Sequence, residues 1–252
     1  IIIDDGSPSP ISEVLPQVKN VPDKIDWRLI TQLNSGIGAT RNRGYREAQA
    51  GIVIFFDDDI LVEKDTLSKL FHAQREGPGP VQFGNYPFIS HSSESLHQFA
   101  RQLYGYDTMT QNISFQKVNA ISSGVLSVNK DELKGMTNFY KDDLTIPAAE
   151  EYELIASFHK MGIPIFRANH ICTLHNHHLE LKWLVQQQYK YGQGTAESFI
   201  KYPEIKKLEE FGGLKSKIDD VMKKVFKSML KTSAASAPGR KFLLFSARLT
   251  ER

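Results

Sequence analysis

Residues 51–59 have the sequence GIVIFFDDD, an apolar run that ends in three aspartates. Apolar runs rich in β-branched and aromatic residues are typical of strands that are buried on both faces of a parallel sheet. We therefore expect a buried strand over residues 51–56, with Asp57, Asp58 and Asp59 at its carboxyl end.

The chain on both sides of this strand alternates short apolar runs with helical patterns. Strands that alternate with helices predict an α/β fold with a parallel or mixed sheet. The predicted strands cover residues 1–3, 27–32, 81–84, 113–121, 125–128, 163–166 and 170–174, and the predicted helices cover residues 41–50, 64–75 and 149–161.

The composition is that of a globular protein. Hydrophobic residues make up 40% of the 252 residues and charged residues 24%, values that exclude a disordered, collagen-like or coiled-coil chain. No run of about 18 apolar residues occurs, so we expect no transmembrane helix. The single cysteine, Cys172, excludes an internal disulfide framework and predicts a reducing compartment such as the cytoplasm.

Acidic residues and a histidine collect at the predicted ends of strands. In open α/β sheets, ligands bind beyond the carboxyl ends of the strands. Carboxylates crowded at such an edge repel each other unless a cation lies among them, and oxygen ligands with one imidazole suit Mg²⁺ or Mn²⁺. Each cluster alone also fits an ordinary turn, because Asp is a common turn residue. The clusters are Asp4-Asp5, Asp57-Asp58-Asp59 and His175, and the pair Glu150-Glu151 opens a predicted helix.

Five short motifs follow one another along the chain. Each is degenerate by itself, but the order of all five is hard to obtain by chance. It resembles that of the family 2 glycosyltransferases, inverting enzymes of the GT-A fold that use nucleotide-diphosphate sugars, and the resemblance covers roughly residues 1–195. The motifs are IIIDDGS at 1–7, Asn34-x-Gly36-x-x-x-Thr40-Arg41-Asn42-x-Gly44, FFDDD at 55–59, Ser123-Gly124-x-x-Ser127-Val128 and EEYEL at 150–154.

By this resemblance, the first two motifs supply the donor site. Asp4 and Asp5 match the acidic pair that hydrogen-bonds the base and ribose. Arg41 matches an arginine near the diphosphate, and Asn34 and Gly36 belong to the same donor-binding motif. From the residues alone, Asp4 and Asp5 would equally fit an N-capping turn.

Asp57 and Asp59 match the Asp-x-Asp motif of the family, which the resemblance assigns to the ribose, the diphosphate and a divalent metal. Asp58 is grouped with the donor-binding residues, although in a continuing strand it would point to the opposite side. The implied metal is Mn²⁺ or Mg²⁺, because a divalent cation neutralises charge that develops on a nucleoside diphosphate leaving group.

His175 matches a histidine that some members of the family place on the metal after the last strand of the sheet. His177 and His178 are close rivals for this role. A zinc site of Cys172, His175 and His177 lacks a fourth ligand, so the pattern favours the oxygen-rich site.

Glu150 and Glu151 match a Glu-Asp pair of the family, and the resemblance makes the second member the general base. Inversion needs a carboxylate that takes the proton of the acceptor hydroxyl as that hydroxyl attacks the anomeric carbon. Glu151 is one methylene longer than the usual Asp, so Glu150 stays open as the alternative base. Acidic residues also favour the first turn of any helix.

The resemblance implies a GT-A catalytic domain over residues 1–200, with a mixed, mostly parallel central sheet flanked by helices. The first strand of that fold is expected to be missing, because the family places it before Ile1. The implied reaction is metal-assisted transfer of a sugar, with inversion, to a hydroxyl of a glycan or lipid-linked acceptor in polysaccharide or cell-envelope biosynthesis. No nucleic-acid partner is expected. Two alternatives stay open: an inactive nucleotide- or sugar-binding scaffold, and a sugar-phosphate nucleotidyltransferase, whose Gly-rich basic loop we do not find.

Residues 201–252 form a basic extension. They carry 13 Lys and Arg against 6 Asp and Glu, whereas the rest of the chain carries 18 against 23. Within 214–231 a helical pattern places apolar residues on one face and lysines on the other. This fits peripheral contact with anionic lipid, on the cytoplasmic face of a membrane. It equally fits a helix packed on the catalytic domain or on a partner.

Overall fold

A computed structural model of the chain describes residues 1–15, 25–86, 113–133, 135–140, 150–176 and 180–207. Of the predicted basic extension only residues 201–207 are included. The amphipathic stretch 214–231 and the histidines His177 and His178 lie outside the described residues.

The described chain alternates strands with helices. The strands are β1 (Ile2–Asp4), β2 (Leu29–Thr31), β3 (Ile52–Phe56), β4 (Ile60–Leu61), β5 (Val81–Asn85), β6 (Phe115–Val118), β7 (Val125–Asn129), β8 (Ile165–Cys172) and β9 (Leu174–His175). The helices are α1 (Ile11–Val14), α2 (Ile37–Glu47), α3 (Thr66–Glu76), α4 (Glu151–Lys160) and α5 (Leu181–Lys201), followed by a 3₁₀ turn at Pro203–Lys207.

The largest sheet has the strand order β3-β7-β5-β8-β6. Strands β3, β5 and β8 run in one direction, and β7 and β6 run against them, so the sheet is mixed as predicted. Only β5 and β8 are parallel neighbours within it, because β7 is inserted between β3 and β5. Two short sheets accompany it, the parallel pair β1-β2 and the antiparallel pair β4-β9.

One detail of the strand prediction is wrong. Residues 163–166 and 170–174 were expected to form two strands, but Ile165–Cys172 is a single strand. The polar residues Arg167 and Asn169 suggest a break in the sequence. In the structure the pairing of β8 with β5 instead shifts register, while β6 continues to pair through Ala168. The irregularity therefore lies within the strand.

The core has an apolar layer on each face of the large sheet. Helix α3 packs Leu70 and Ala73 against buried side chains of β7 and β8, such as Val125 and Ile171. On the other layer, aromatic rings connect α2 and α4: the ring centroid of Phe139 lies 4.3 Å from that of Tyr45 and 5.8 Å from that of Phe158. Phe139 therefore joins the C-terminal parts of α2 and α4.

Leu67 and Leu70 offer a matched test of this core, because both lie on α3 but only Leu70 is buried, whereas Leu67 is 55% exposed. We expect Leu70→Ala to lower the free energy of unfolding by about 2–5 kcal/mol through lost burial and a residual cavity. Leu67→Ala should change it by no more than about 0.5 kcal/mol. Urea unfolding measures both, and equal losses would contradict the packing described here.

Candidate active site

The turn after β1 is built on two carboxylates. The side chain of Asp4 is buried and accepts hydrogen bonds from the backbone N–H groups of Ser7, at 2.9 Å, and Ile11, at 3.1 Å. These hydrogen bonds, that from Ser7 first, lower the pKa of Asp4. Asp4 is therefore an ionised hydrogen-bond acceptor within the turn, and Pro10, not Asp4, is the N-cap residue of α1. The contact of Asp4 with a nucleotide stays a prediction.

Asp5 connects the same turn to the start of α2. Its carboxylate accepts hydrogen bonds from the amide of Gln32 at 2.7 Å, from the hydroxyl of Ser35 at 2.9 Å and from the backbone N–H of Gly36 at 2.9 Å. Burial acts to raise the pKa of Asp5, but these hydrogen bonds outweigh it and hold the pKa below its usual value. The negative charge lies at the N-terminus of α2, where the helix dipole stabilises it.

Two glycines allow this loop to close. Gly36, the residue before α2, has φ of 92°, and Gly6 has φ of 77°. A side chain at Gly6 would place its Cβ 2.9 Å from the backbone nitrogen of Asn34. Asn34 itself is exposed beside this contact. The predicted donor-binding residues Asp4, Asp5, Asn34 and Gly36 thus share one loop cluster.

Arg41 joins two distant acidic residues. Its guanidinium donates one hydrogen bond to Asp57 Oδ1 and another to Glu150 Oε1, both at 2.7 Å, and the side chain is almost fully buried. Burial opposes the charge of Arg41, but Tyr140, Asp57 and the two glutamates hold its pKa well above its ordinary value. The end of β3 and the start of α4 are therefore bound to one buried cation.

Glu151, the first residue of α4, differs from its neighbour. Burial and the nearby charge of Glu150 raise the pKa of Glu151 to about 7, against the opposing effect of Arg41. Glu150 is engaged with Arg41 instead. A carboxyl group with a pKa near neutrality is well matched to accept a proton at neutral pH. The structure thus brings both candidate bases into one site and gives them different surroundings.

The three aspartates after β3 separate in a turn. The backbone N–H of Asp57 donates to the carbonyl of Gly124 at 3.1 Å, and the carbonyl of Asp57 accepts from Ile60 at 3.2 Å. Asp58 is exposed on this turn. Asp57 forms an ion pair with Arg41, whereas Asp59 contacts His175. The three aspartates therefore have different surroundings.

Asp59 meets His175 across the small sheet. Asp59 Oδ2 lies 2.7 Å from His175 Nε2, because Ile60 is paired with His175 in the β4-β9 ladder. The backbone N–H of Asn176 also donates to the carbonyl of Asp59 at 2.7 Å. Strand β4 has only two residues and was not expected from the sequence, yet it brings together side chains 116 residues apart.

A carboxylate oxygen and an imidazole nitrogen are suitable ligands for Mn²⁺ or Mg²⁺. Across the described ranges, no group of three or more His, Cys, Asp and Glu side chains is arranged to hold a metal ion. The pair Asp59 and His175 therefore fits a cation that takes most of its ligands from a bound molecule, and it does not fit a closed structural metal site.

Several residues of this site were not singled out from the sequence. Tyr86 follows β5; its ring lies edge-on to His175, with centroids 5.8 Å apart, and its hydroxyl is hydrogen-bonded to Ser122. Tyr140 lies against Arg41. Asn42 lies in the second of the five motifs and Ser123 in the fourth, so the motifs could have pointed to these two residues. Tyr86 and Tyr140 lie outside all five motifs.

A family model and several known proteins match the sequence of this chain. The model of Glycosyl transferase family 2 matches residues 1–133. The protein of Bacillus subtilis (strain 168) named as the teichuronic acid biosynthesis glycosyltransferase TuaG is 28% identical over 114 residues, which are 44% of this chain and 45% of that protein. The cholesterol galactosyltransferase of Borreliella burgdorferi is 36% identical over 72 residues, 29% of this chain and 20% of that protein. The chain thus aligns with less than half the length of these relatives.

A solved structure shows the same fold. The mannosyltransferase PcManGT from Pyrobaculum calidifontis, in complex with GDP-Man and Mn²⁺, superposes with a TM-score of 0.61 at 12% identity, over 99% of this chain and 70% of that chain. This similarity confirms the predicted GT-A α/β fold. No helix in the described part of the chain has the length and apolar character to cross a bilayer. Because the family model covers more than half of the sequence, the chain belongs to glycosyl transferase family 2.

Proposed function

We propose that this chain transfers a sugar from a nucleotide-diphosphate sugar to a hydroxyl group, with inversion at the anomeric carbon. The observation that carries the proposal is that Arg41 forms two ion pairs, one with Asp57 and one with Glu150. Through them the acidic end of β3 and the candidate base Glu151 face one site. Family membership and the neighbour named in complex with GDP-Man and Mn²⁺ support this assignment.

The donor would occupy the loop cluster at the start of α2 and the end of β3. In the proposal, Asp4, Asp5, Asn34 and Gly36 shape the part of the site that receives the base and ribose, with Asp58 at its edge. Arg41 directs positive charge towards the diphosphate. Helix α2 starts at the same loop, where its dipole stabilises the charge of Asp5.

Asp59 and His175 would hold a divalent cation, Mn²⁺ or Mg²⁺, with Asp57 beside them. When bound, the metal supplies charge neutralisation for the departing nucleoside diphosphate. The described residues contribute few ligands of their own, so metal and donor are expected to bind together. Asp57 is shared between this role and the ion pair with Arg41.

Glu151 would act as the general base. A pKa of about 7 leaves a large share of its carboxyl group ionised at neutral pH while keeping it a useful proton acceptor. The carboxylate takes the proton of the acceptor hydroxyl as the oxygen attacks the anomeric carbon. The acceptor belongs to the proposal as a glycan or a lipid-linked glycan. A lipid-linked acceptor would place the reaction at the cytoplasmic face of a membrane, where the basic stretch 214–231 would favour anionic lipid.

The first test concerns the base. Glu151→Gln should retain donor affinity and lower kcat by roughly 10²-fold or more, the usual scale for loss of a general base. In the unaltered protein, kcat/KM should rise with pH through about 7, because the ionised form of Glu151 is the active one. Steady-state kinetics over pH 5–9 measure both effects. Full activity in Glu151→Gln, with loss in Glu150→Gln, would move the role to Glu150.

The raised pKa of Glu151 also predicts a change in stability with pH. Between its usual value of 4.5 and about 7, the folded chain keeps a proton that the unfolded chain has lost. Stability from this group is therefore lost as pH rises through 7. The Tm of Glu151→Gln minus that of the unaltered protein should therefore be more positive at pH 8 than at pH 5. Glu63→Gln, which removes a carboxyl group at an exposed position, is the matched control. A constant difference for both variants would contradict the burial of Glu151.

The metal is tested by calorimetry with UDP and GDP, with and without Mn²⁺. Binding should be strengthened by Mn²⁺ and weakened by a chelator, because the diphosphate completes the ligand set of the cation. Asp59→Asn and His175→Gln should each remove the Mn²⁺-dependent part. Asp65→Asn, at the exposed start of α3, is the matched control and should retain it. Nucleotide binding that is indifferent to chelator and to Asp59→Asn would refute the metal assignment.

A further inference from the structure

The guanidinium of Arg41 is covered by the ring of Tyr140. Two further side chains, Asn42 on the same helix as Arg41 and Ser123, hydrogen-bond to Tyr140. We refer to Asn42, Tyr140 and Ser123 as the Arg41 clamp. None of them carries a charge that could neutralise the donor. Their hydrogen bonds nevertheless form one continuous set that includes the ring beside Arg41.

Asn42 attaches the segment that carries Tyr140 to helix α2. Its side chain is buried, and its amide nitrogen donates to the carbonyl of Tyr140 at 2.7 Å. Its amide oxygen accepts from the backbone N–H groups of Phe139, at 2.7 Å, and Tyr140, at 2.9 Å. A buried amide that makes three hydrogen bonds to two consecutive residues fixes their backbone relative to α2. Tyr140 is thereby fixed next to Arg41.

Tyr140 covers the guanidinium and is anchored at its far end. The Cζ atom of Arg41 lies 5.7 Å from the centroid of the buried Tyr140 ring. The hydroxyl of Tyr140 is hydrogen-bonded to Ser123 Oγ at 2.9 Å. The next residue, Gly124, accepts the backbone hydrogen bond of Asp57, and Asp57 accepts from Arg41. The contacts therefore close a circuit from Arg41 through Tyr140, Ser123 and Asp57.

We infer that Asn42, Ser123 and Tyr140 are positioning residues that hold the guanidinium of Arg41 in the orientation in which it meets the diphosphate of the donor. This inference rests on the proposed function for the identity of the ligand. Arg is a long side chain with many rotamers, and holding it in place before the donor arrives removes an ordering cost from binding. A purely structural role of the same residues would change stability and leave donor affinity unchanged.

The test uses two variants that remove one hydrogen bond from opposite sides, Tyr140→Phe and Ser123→Ala, together with the double variant. Each single change should weaken the binding of UDP or GDP with Mn²⁺ by roughly threefold to tenfold. The double variant should be no weaker than the singles, because both remove the same bond. Tyr140→Leu, which also removes the ring, should weaken binding further. Tyr189→Phe, on a side chain that is 68% exposed, is the control. Calorimetry is done below the lowest Tm of the set.

A second measurement needs no nucleotide. In the ligand-free protein, an arginine held by two ion pairs and a ring should show separate NMR signals for its four Nη protons. These signals should persist in Tyr189→Phe and average in Tyr140→Phe and Ser123→Ala. Separate signals and unchanged affinity in those two variants, with a lowered Tm, would overturn the inference. If the unaltered protein binds neither UDP nor GDP, the proposed donor class fails, and the NMR signals still decide whether the clamp holds Arg41.

Discussion

The buried positive charge of Arg41 is the interaction on which the rest of the site depends. A guanidinium that leaves water loses a large hydration energy and is stable only when it is paired and hydrogen-bonded. Asp57 and Glu150 provide those partners, and they lie 16 and 109 residues away along the chain. The fold must therefore bring the carboxyl end of β3 and the amino end of α4 to the same turn of α2. Removal of either acid would leave an incompletely paired charge in the interior.

The same charge separates the properties of two adjacent glutamates. Glu150 forms the ion pair with Arg41, while Glu151 experiences burial and the negative charge of its neighbour, which raise its pKa. One member of the pair is engaged as a structural anion, and the other is left available for protons. This division of roles follows from which side chain reaches the guanidinium. It explains how two identical residues at the start of one helix could do different work in the proposed reaction.

Structural and functional interpretations of an acidic residue are compatible in this protein. Asp4 accepts hydrogen bonds within its own turn, and Asp5 accepts hydrogen bonds that close the loop before α2. That loop is also where the sequence motifs place the donor. An ionised, fully hydrogen-bonded carboxylate gives a rigid wall, and rigidity is useful in a site that must orient a flexible nucleotide sugar. The Asp59–His175 pair is different, because its two side chains meet across the β4-β9 ladder, and its carboxylate and imidazole are the groups to which we assign the cation in the proposed reaction.

The sequence by itself determined the α/β class, most of the strands, the aspartates after β3 and the order of motifs that identified the family. Those features are local: an apolar run, a turn residue or a spacing can be recognised without knowing the rest of the fold. Only the tertiary structure decided that residues 165–172 form one strand, that Asp59 meets His175, and that Asn42 fixes the segment whose Tyr140 ring covers Arg41. These contacts join residues about a hundred positions apart. Pairing register and burial depend on how the layers pack, so no local pattern in the sequence could specify them.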